Sequence, residues 1–391
     1  MTALADREQV LLAAVETIAT DVASVHAADV DHAGRFPQET VDALREVGAL
    51  SMLVPTSLGG GGFGIETAAA CSRALGRACG ASAMVFAMHQ IQVAVLVRHL
   101  SEGSWFEEYL SRLCAEQRLI ASVTSEVGTG GDMGRSIAAV ECIGEGSSRF
   151  EKQAPTVSYG GHADDLLTTL RRGPDAEPGD QVAVLTLRGQ ATLEPSGTWD
   201  VLGMRGTCSP GAIVRATFPD EQIMSDPFAR IASESMVPIS HVLWSHLWLG
   251  IAEDAFERAR AFVRAAAKRT PGVQPPAAPR LARVLSELSM LRAEVESGLR
   301  DFLAGSATPD RRGLGTMGAA LRFNNLKVGA SEHAVDICRG ALDVCGIVGF
   351  KNDTPFSIGR HLRDTMSAPL MIANERINQT NAGLLLIAKE V

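Results

Sequence analysis

Near the C-terminus, the stretch RHLRDTMSAPLMIANERINQ (residues 360–379) gathers side chains that can move a proton or hold a charge. Asp364 follows Arg363, and eleven residues further on Glu375 stands beside Arg376. A second group lies in ISHVLWSHLWLGIAEDAF (residues 239–256), where a helical period places His241, Ser245 and Trp248 on one face. An imidazole is a competent base near neutral pH, and a desolvated carboxylate is another. Glu375 and His241 are therefore the candidate general bases, with His246 behind them. Each has a plainer reading: Glu375 and Arg376 as an exposed pair, and the histidines as hydrogen-bonded core residues. A third stretch, SEVGTGGD (residues 125–132), reads as a strand running into a turn of exposed backbone N–H groups. His89 and Gln90 in FAMHQIQ carry no pattern that assigns them a role.

The elements that must position these groups fall into three regions. Residues 1–118 read as helices: FPQETVDALREVGAL aligns Val41, Leu44, Val47 and Leu50 on one stripe, and Ser104 with Glu107 forms a capping box before an apolar run. Residues 119–228 change to short Val/Ile/Thr runs (LIASVTSEV, RSIAAVECIGEG, DQVAVLTLRG and GAIVRATFPDEQI) separated by Gly, Pro and Asp, which predicts a small β domain. Residues 229–391 return to a helical period in three long segments, roughly 236–268, 279–304 and 316–349, punctuated by Pro271, Pro275, Pro276, Pro279, Gly305 and Pro309. This order predicts an α+β fold with segregated layers and a ligand cleft where the β domain meets the bundle.

Composition narrows the function classes. The 391 residues are 46% hydrophobic and 21% charged, ordinary globular usage with room for a buried site. A net charge of −9 without a basic block speaks against nucleic acid as a partner. Seven cysteines without a C-x-x-C pair speak against a disulfide framework or a zinc site, which places the chain in the reducing cytoplasm. The N-terminus reads as an amphipathic helix rather than a signal peptide, and no membrane span is expected. The apolar LWSHLWLGIA face is expected to bury against a second copy.

Four stretches, in order, resemble the acyl-CoA dehydrogenase family. They are FPQETVDALREVGALSMLVPTSLGGGGFG (36–64), TSEVGTGGD (124–132), WDVLGMRGTCSPG (199–211) and DVCGIVGFKNDTPFSIGRHLRD (343–364). The resemblance covers nearly the whole chain. It implies a flavoprotein with an N-terminal helical domain, a middle β-barrel-like domain and a C-terminal four-helix bundle. It also implies FAD as cofactor, with FMN the runner-up, and a homodimer or homotetramer. By position, Ser125, Glu126 and Val127 fall where the family's Thr-Glu-Pro meets the flavin, and Ser158 where a Thr bonds the flavin edge. An isoalloxazine needs such hydrogen-bond partners along its polar edge. Arg269 matches the family's Arg that reaches a neighbouring subunit's FAD pyrophosphate, but without the accompanying Phe. Gly346 keeps one glycine of a Gly-Gly pair, Thr156 stands where a Trp packs near the flavin, and Asp343 replaces a Gln near the adenosine.

The family's carboxylate base has two usual placements. The first, eight residues after Asp364, is Ile372; the second, ten residues before Gly250, is Ser240. Neither is acidic. The leading expectation is α,β-dehydrogenation of an acyl thioester on coenzyme A or acyl carrier protein, with a displaced base and electron-transfer flavoprotein as a possible partner. The alternatives are a flavin-dependent monooxygenase on the same scaffold and a non-catalytic paralogue.

Overall fold

The computed structural model describes residues 2–308 and 313–388. Helix α1 (Thr2–Ile18) runs through a π-helical turn, Ala19–Ala23, into α2 (Ser24–Ala33), followed by α3 (Gln38–Glu46), α4 (Ile65–Ala78), α5 (Gly80–Arg98) and α6 (Trp105–Glu116). Ser104 does occupy the cap of α6, but its side chain makes no capping bond, so the expected capping box is not formed. Two stretches, residues 6–33 and Gly80–Arg98, are long and apolar enough to cross a membrane by length and composition alone. The second is α5, which is buried through most of its length as a core helix.

Seven strands follow: β1 (Ile120–Val123), β2 (Glu141–Gly144), β3 (Ser147–Ala154), β4 (Asp165–Arg171), β5 (Gln181–Leu187), β6 (Ala191–Pro195) and β7 (Ala212–Pro219). They form two small sheets, a three-stranded β1-β4-β5 and a four-stranded β2-β3-β7-β6, rather than one closed barrel. β1 pairs parallel to β4, while the other named pairs are antiparallel. In β3 every second residue is buried, and one of these is Lys152. The strands missed from sequence are β3, β4 and β6. β3 and β6 carry a polar outer face, as an antiparallel sheet with one wet side allows, so they lack a continuous apolar run.

The C-terminal region comprises α7 (Phe228–Ile231), α8 (Val237–Arg269), α9 (Ala278–Ser306), α10 (Met317–Cys345), α11 (Ile347–Phe350), α12 (Gly359–Met366) and α13 (Asn374–Leu385). α10 ends earlier than its period suggests because Gly346 turns the chain at φ +58°. Contacts of His241 with Phe323 and of Trp248 with Lys327 run in the same order along α8 and α10, so these two helices are parallel. Glu253 on α8, almost fully buried, accepts from Arg73 of α4 (2.5 and 2.9 Å) and Arg292 of α9 (2.7 Å), tying three helices together. The LWSHLWLGIA face, expected to meet a second copy, is instead buried inside the chain's own bundle. The C-terminal helix α13 stops at Leu385, leaving Leu386 and Ile387 exposed; the last residues, 389–391, lie outside the described part.

The LeuGlyMetArgGly and LeuArgAsp segments meet as a structural latch. A Cβ on Gly203 would lie 1.9 Å from the Arg363 carbonyl oxygen, so only glycine lets these backbones touch. Arg363 pairs with Asp31, and Arg205 donates to the Asp31 carbonyl (2.8 Å), drawing in α2. Since backbone cannot yield as a flexible side chain can, Gly203→Ala is expected to cost about 3 kcal/mol or more of stability. Urea denaturation checks this, and a loss below about 1 kcal/mol would show that the latch is loose.

Candidate functional site

β1 delivers the chain into the 124–134 turn, which is held from beneath. The buried Glu126 carboxylate accepts from Ser136 Oγ (2.5 Å), Ala138 N (2.6 Å) and Ile137 N (3.1 Å). Lys152 Nζ lies 3.6 Å away and donates to the carbonyls of Thr169 (2.6 Å) and Thr124 (3.3 Å). Burial pulls this lysine down to about 8, against the pull of Glu126. Glu126 thus braces the turn with its side chain. Val127 is half exposed, and its N–H is spent on Gln153 O (2.9 Å).

Above this brace, Gly128, Gly130 and Gly131 all adopt positive φ. Among the described residues, the N–H groups of residues 128–131 donate to no acceptor. At the turn's entrance Ser125 Oγ donates to Thr156 O (2.9 Å), and half-buried Ser158 lies two residues beyond. Ser125 and Thr156 are thus brought together across 31 positions of sequence, with Ser158 on the same segment.

From the other side comes the C-terminal segment. Asp364 is buried and accepts from Met204 N (2.7 Å); burial pushes its carboxyl up to about 6. After α12 the chain turns through Ile372, which takes a left-handed conformation (φ +52°) and is 37% exposed. Buried Asn374 then anchors α13: it accepts from Lys327 Nζ (2.6 Å) and donates to Ser331 Oγ and Glu332 Oε1 (both 3.0 Å). Lys327 also donates to Ala368 O (3.1 Å), lies 5.9 Å from the centre of the Trp248 ring, and is lowered by burial to about 8. Glu375 is exposed and makes neither ion pair nor hydrogen bond among the described residues, so the surface pair with Arg376 is absent. Arg376 instead curls back onto the glycine turn, its Nη1 3.2 Å from the Cβ position of Gly131.

The histidines are structural by geometry. His241 shares a hydrogen bond with Phe323 O (Nδ1, 2.9 Å), and burial, helped by Lys327, lowers it to about 3. His246 donates to Val242 O and is lowered by burial to about 4. His89 lies between Leu50 O (2.8 Å) and Ile120 N (3.0 Å), which fixes the Nε2–H tautomer. Gln90 donates to Ala49 O.

Two expected cofactor residues stand apart. Arg269 ends α8 and Gly346 caps α10; at 1.5 Å per residue they lie about 42 Å and about 35 Å along the parallel helices from the His241–Phe323 contact. Among the described residues neither makes a hydrogen bond or ion pair to the 125–131 turn. Sequence reasoning missed Arg376 as a site residue because only the fold places it over the turn.

A flavin presents acceptors along its pyrimidine edge and an anionic phosphate. The site offers hydroxyls at Ser125, Thr156 and Ser158, free N–H groups at 128–131, and a buried Arg376 Nη1 with no partner. These groups fit the cofactor class. Among the described residues no cluster of His, Cys, Asp or Glu is arranged to hold a metal ion.

The N-terminal domain of the acyl-CoA dehydrogenases matches residues 5–117, and their C-terminal domain matches residues 240–372. The probable FMNH2-dependent monooxygenase SfnC of Pseudomonas putida is 25% identical over 340 residues, spanning 82% of this chain and 81% of that protein. Cyclohex-1-ene-1-carbonyl-CoA dehydrogenase of Syntrophus aciditrophicus is 24% identical over 400 residues, spanning 99% and 91%. The structure of FMN-bound TdsC from Paenibacillus sp. A11-2 superimposes with a TM-score of 0.82 at 20% identity, over 96% of this chain and 97% of that one, a likeness of fold. With both terminal domains matched and this architecture between them, the chain belongs to the acyl-CoA dehydrogenase family of flavoenzyme oxidoreductases.

Proposed function

We propose that this chain is a reduced-flavin-dependent monooxygenase rather than the thioester dehydrogenase that its family resemblance first suggests. One observation carries the reading: among the described residues, neither base slot of the family holds an acid and neither candidate base is oriented by a partner for proton transfer. Ile372 fills one base slot, and in the other Ser240 Oγ donates to Met236 O. Glu375 points to solvent without a partner that would orient it, and His241 is a buried neutral ring. An unpositioned base forfeits on the order of 10²–10⁴ in rate.

Oxygenation needs no such base. Reduced flavin supplies the electrons that activate O2: one oxygen atom enters the substrate, the other leaves as water, and the flavin ends oxidised. The chain's part is to hold the ring edge with Ser125, Thr156 and Ser158. The names of SfnC and of FMN-bound TdsC support this reading, and with it FMN over FAD.

The test has two arms. Anaerobic mixing of the oxidised holoprotein with acyl-CoA and acyl-carrier thioesters is expected to leave the flavin absorbance intact. Pre-reduced FMN with labelled O2 and a panel including dibenzothiophene and indole is expected to give a product carrying one labelled oxygen. Bleaching by any thioester would reverse the assignment. Dehydrogenation remains the second reading because Glu375 lies three residues past the usual slot at Ile372, in the first turn of α13. Glu375→Gln separates the two: oxygenation should stay within about twofold, whereas a loss of about 10²–10⁴ would make Glu375 the base.

A further inference from the structure

We propose that Lys327 is a positioning residue for the oxygenation: through Ala368 and Asn374 it clamps the 368–376 segment, and with it the start of α13, against the glycine turn after β1. The inference rests on the monooxygenase reading and deepens it by naming what holds the two sides of the site together.

The segment needs a clamp. Ile372 is β-branched and takes φ +52°, a conformation that such a residue holds only where its surroundings impose it. The turn around it is closed by Met371 N to Ser367 O (3.0 Å), Ala373 N to Leu370 O (3.0 Å) and Asn374 N to Pro369 O (2.9 Å), all bonds internal to the segment. The tie to the bundle comes from α10. Lys327 Nζ donates to Ala368 O at one end of the turn (3.1 Å) and to Asn374 Oδ1 at the other (2.6 Å). Ala368 O finds no other donor among the described residues. Ser331 and Glu332, also on α10, accept from the Asn374 amide (both 3.0 Å).

Lys327 is fully buried, pairs with no carboxylate among the described residues and lies 5.9 Å from the centre of the Trp248 ring. Burying an unpaired charge is expensive, and apolar side chains would pack the same space at less cost. What the ammonium adds is direction: two charge-assisted bonds that fix both ends of one turn. Its hold extends to the site because Asn374 opens α13. Two residues on, Arg376 places Nη1 3.2 Å from the Cβ position of Gly131 and Nη2 3.7 Å from that of Gly130, so a shift of Asn374 is passed to the glycine turn. Lys327 makes no hydrogen bond to that turn itself and acts through the segment.

The test uses the full chain with pre-reduced FMN, O2 and the substrate panel named above. It reads amide hydrogen exchange over residues 368–377 and the oxygenated product formed per reduced FMN consumed. In Lys327→Met, exchange over 368–377 is expected to quicken by about 10–100-fold while α8 and α9 stay as in wild type. Product per FMN should fall by about tenfold, with hydrogen peroxide rising to match, because the two electrons then reduce O2 to peroxide without oxygenating the substrate. Lys327→Met combined with Asn374→Leu replaces the buried polar pair by an apolar one, and should regain part of the urea midpoint without regaining exchange protection or coupling. This double variant decides the matter even if Lys327→Met alone fails to fold. Unchanged exchange over 368–377, loosening spread evenly across the bundle, or coupling that returns together with stability in the double variant would each overturn the proposal. If wild type oxygenates no substrate while Lys327→Met still loosens 368–377 alone, the monooxygenase reading falls and the clamp stands.

Discussion

Replacing Glu126 by Ala is expected to lower the unfolding free energy by about 3–5 kcal/mol and to strip the protein of flavin. Three donors, Ser136 Oγ and the N–H groups of Ile137 and Ala138, converge on this one carboxylate at 2.5–3.1 Å. Removing it orphans all three inside the β domain and leaves Lys152, fully buried, without the one counter-charge it meets among the described residues. A buried ammonium that loses its partner is the more expensive half of the change. The effect is expected to reach function because the same carboxylate closes the base of the 126–138 segment, whose N–H groups at 128–131 have no acceptor among the described residues. Glu126→Gln should cost less, since one amide oxygen still accepts. Pairing Glu126→Ala with Lys152→Met should recover part of the loss, because the stranded charge goes too. Urea unfolding with flavin content after gel filtration measures both effects. A Glu126→Ala protein within about 1 kcal/mol of wild type and still yellow would mean that the turn is held by something else.

Which parts of this arrangement sequence could show follows from how locally each is encoded. The bundle helices were legible because their apolar period persists for about thirty residues between Pro and Gly stops: the expected 279–304 segment is α9, Ala278–Ser306. The 125–132 turn was legible from its glycines. The capping box failed because Ser104 and Glu107 have the right types without the bond. The roles of Glu126, Arg376 and Asn374 were not legible, because each depends on partners 10 to 245 positions away that only the fold brings near. Glu126 was read as a flavin contact since it occupies the family's Glu position, yet its side chain faces the brace. The same long-range placement decides the surroundings of His241: a helical period puts it on a promising face, and that face is the contact with α10.

Acid is expected to unfold this protein steeply, with stability falling by about 3 kcal/mol per pH unit between about pH 6 and pH 4.5. His89, His241 and His246 are buried as neutral rings, lowered by burial to about 4, 3 and 4 respectively. Each takes a proton near pH 6.5 once unfolded, so each contributes stability that is whole above pH 6.5 and is lost as pH falls towards the folded value. Three such groups remove about 4 kcal/mol per pH unit together. Asp364 acts with the opposite sign: its carboxyl is raised by burial to about 6, so the folded state takes up this proton first and regains about 1 kcal/mol per pH unit over the same range. Charged neighbours do little for the histidines: Lys327 faces His241 and Arg73 faces His246, each adding positive charge against protonation, while at His89 Arg45 opposes the pull of Asp164. Against a typical stability of about 5–15 kcal/mol, two pH units below 6.5 use up most of the margin. Urea midpoints measured from pH 7.5 to 4.5 give the slope. His246→Gln, whose amide can still donate to Val242 O, should lower that slope by about 1.4 kcal/mol per pH unit. A flat profile between pH 7 and 5, or a slope untouched by His246→Gln, would mean that these rings gain access to water and protonate in place.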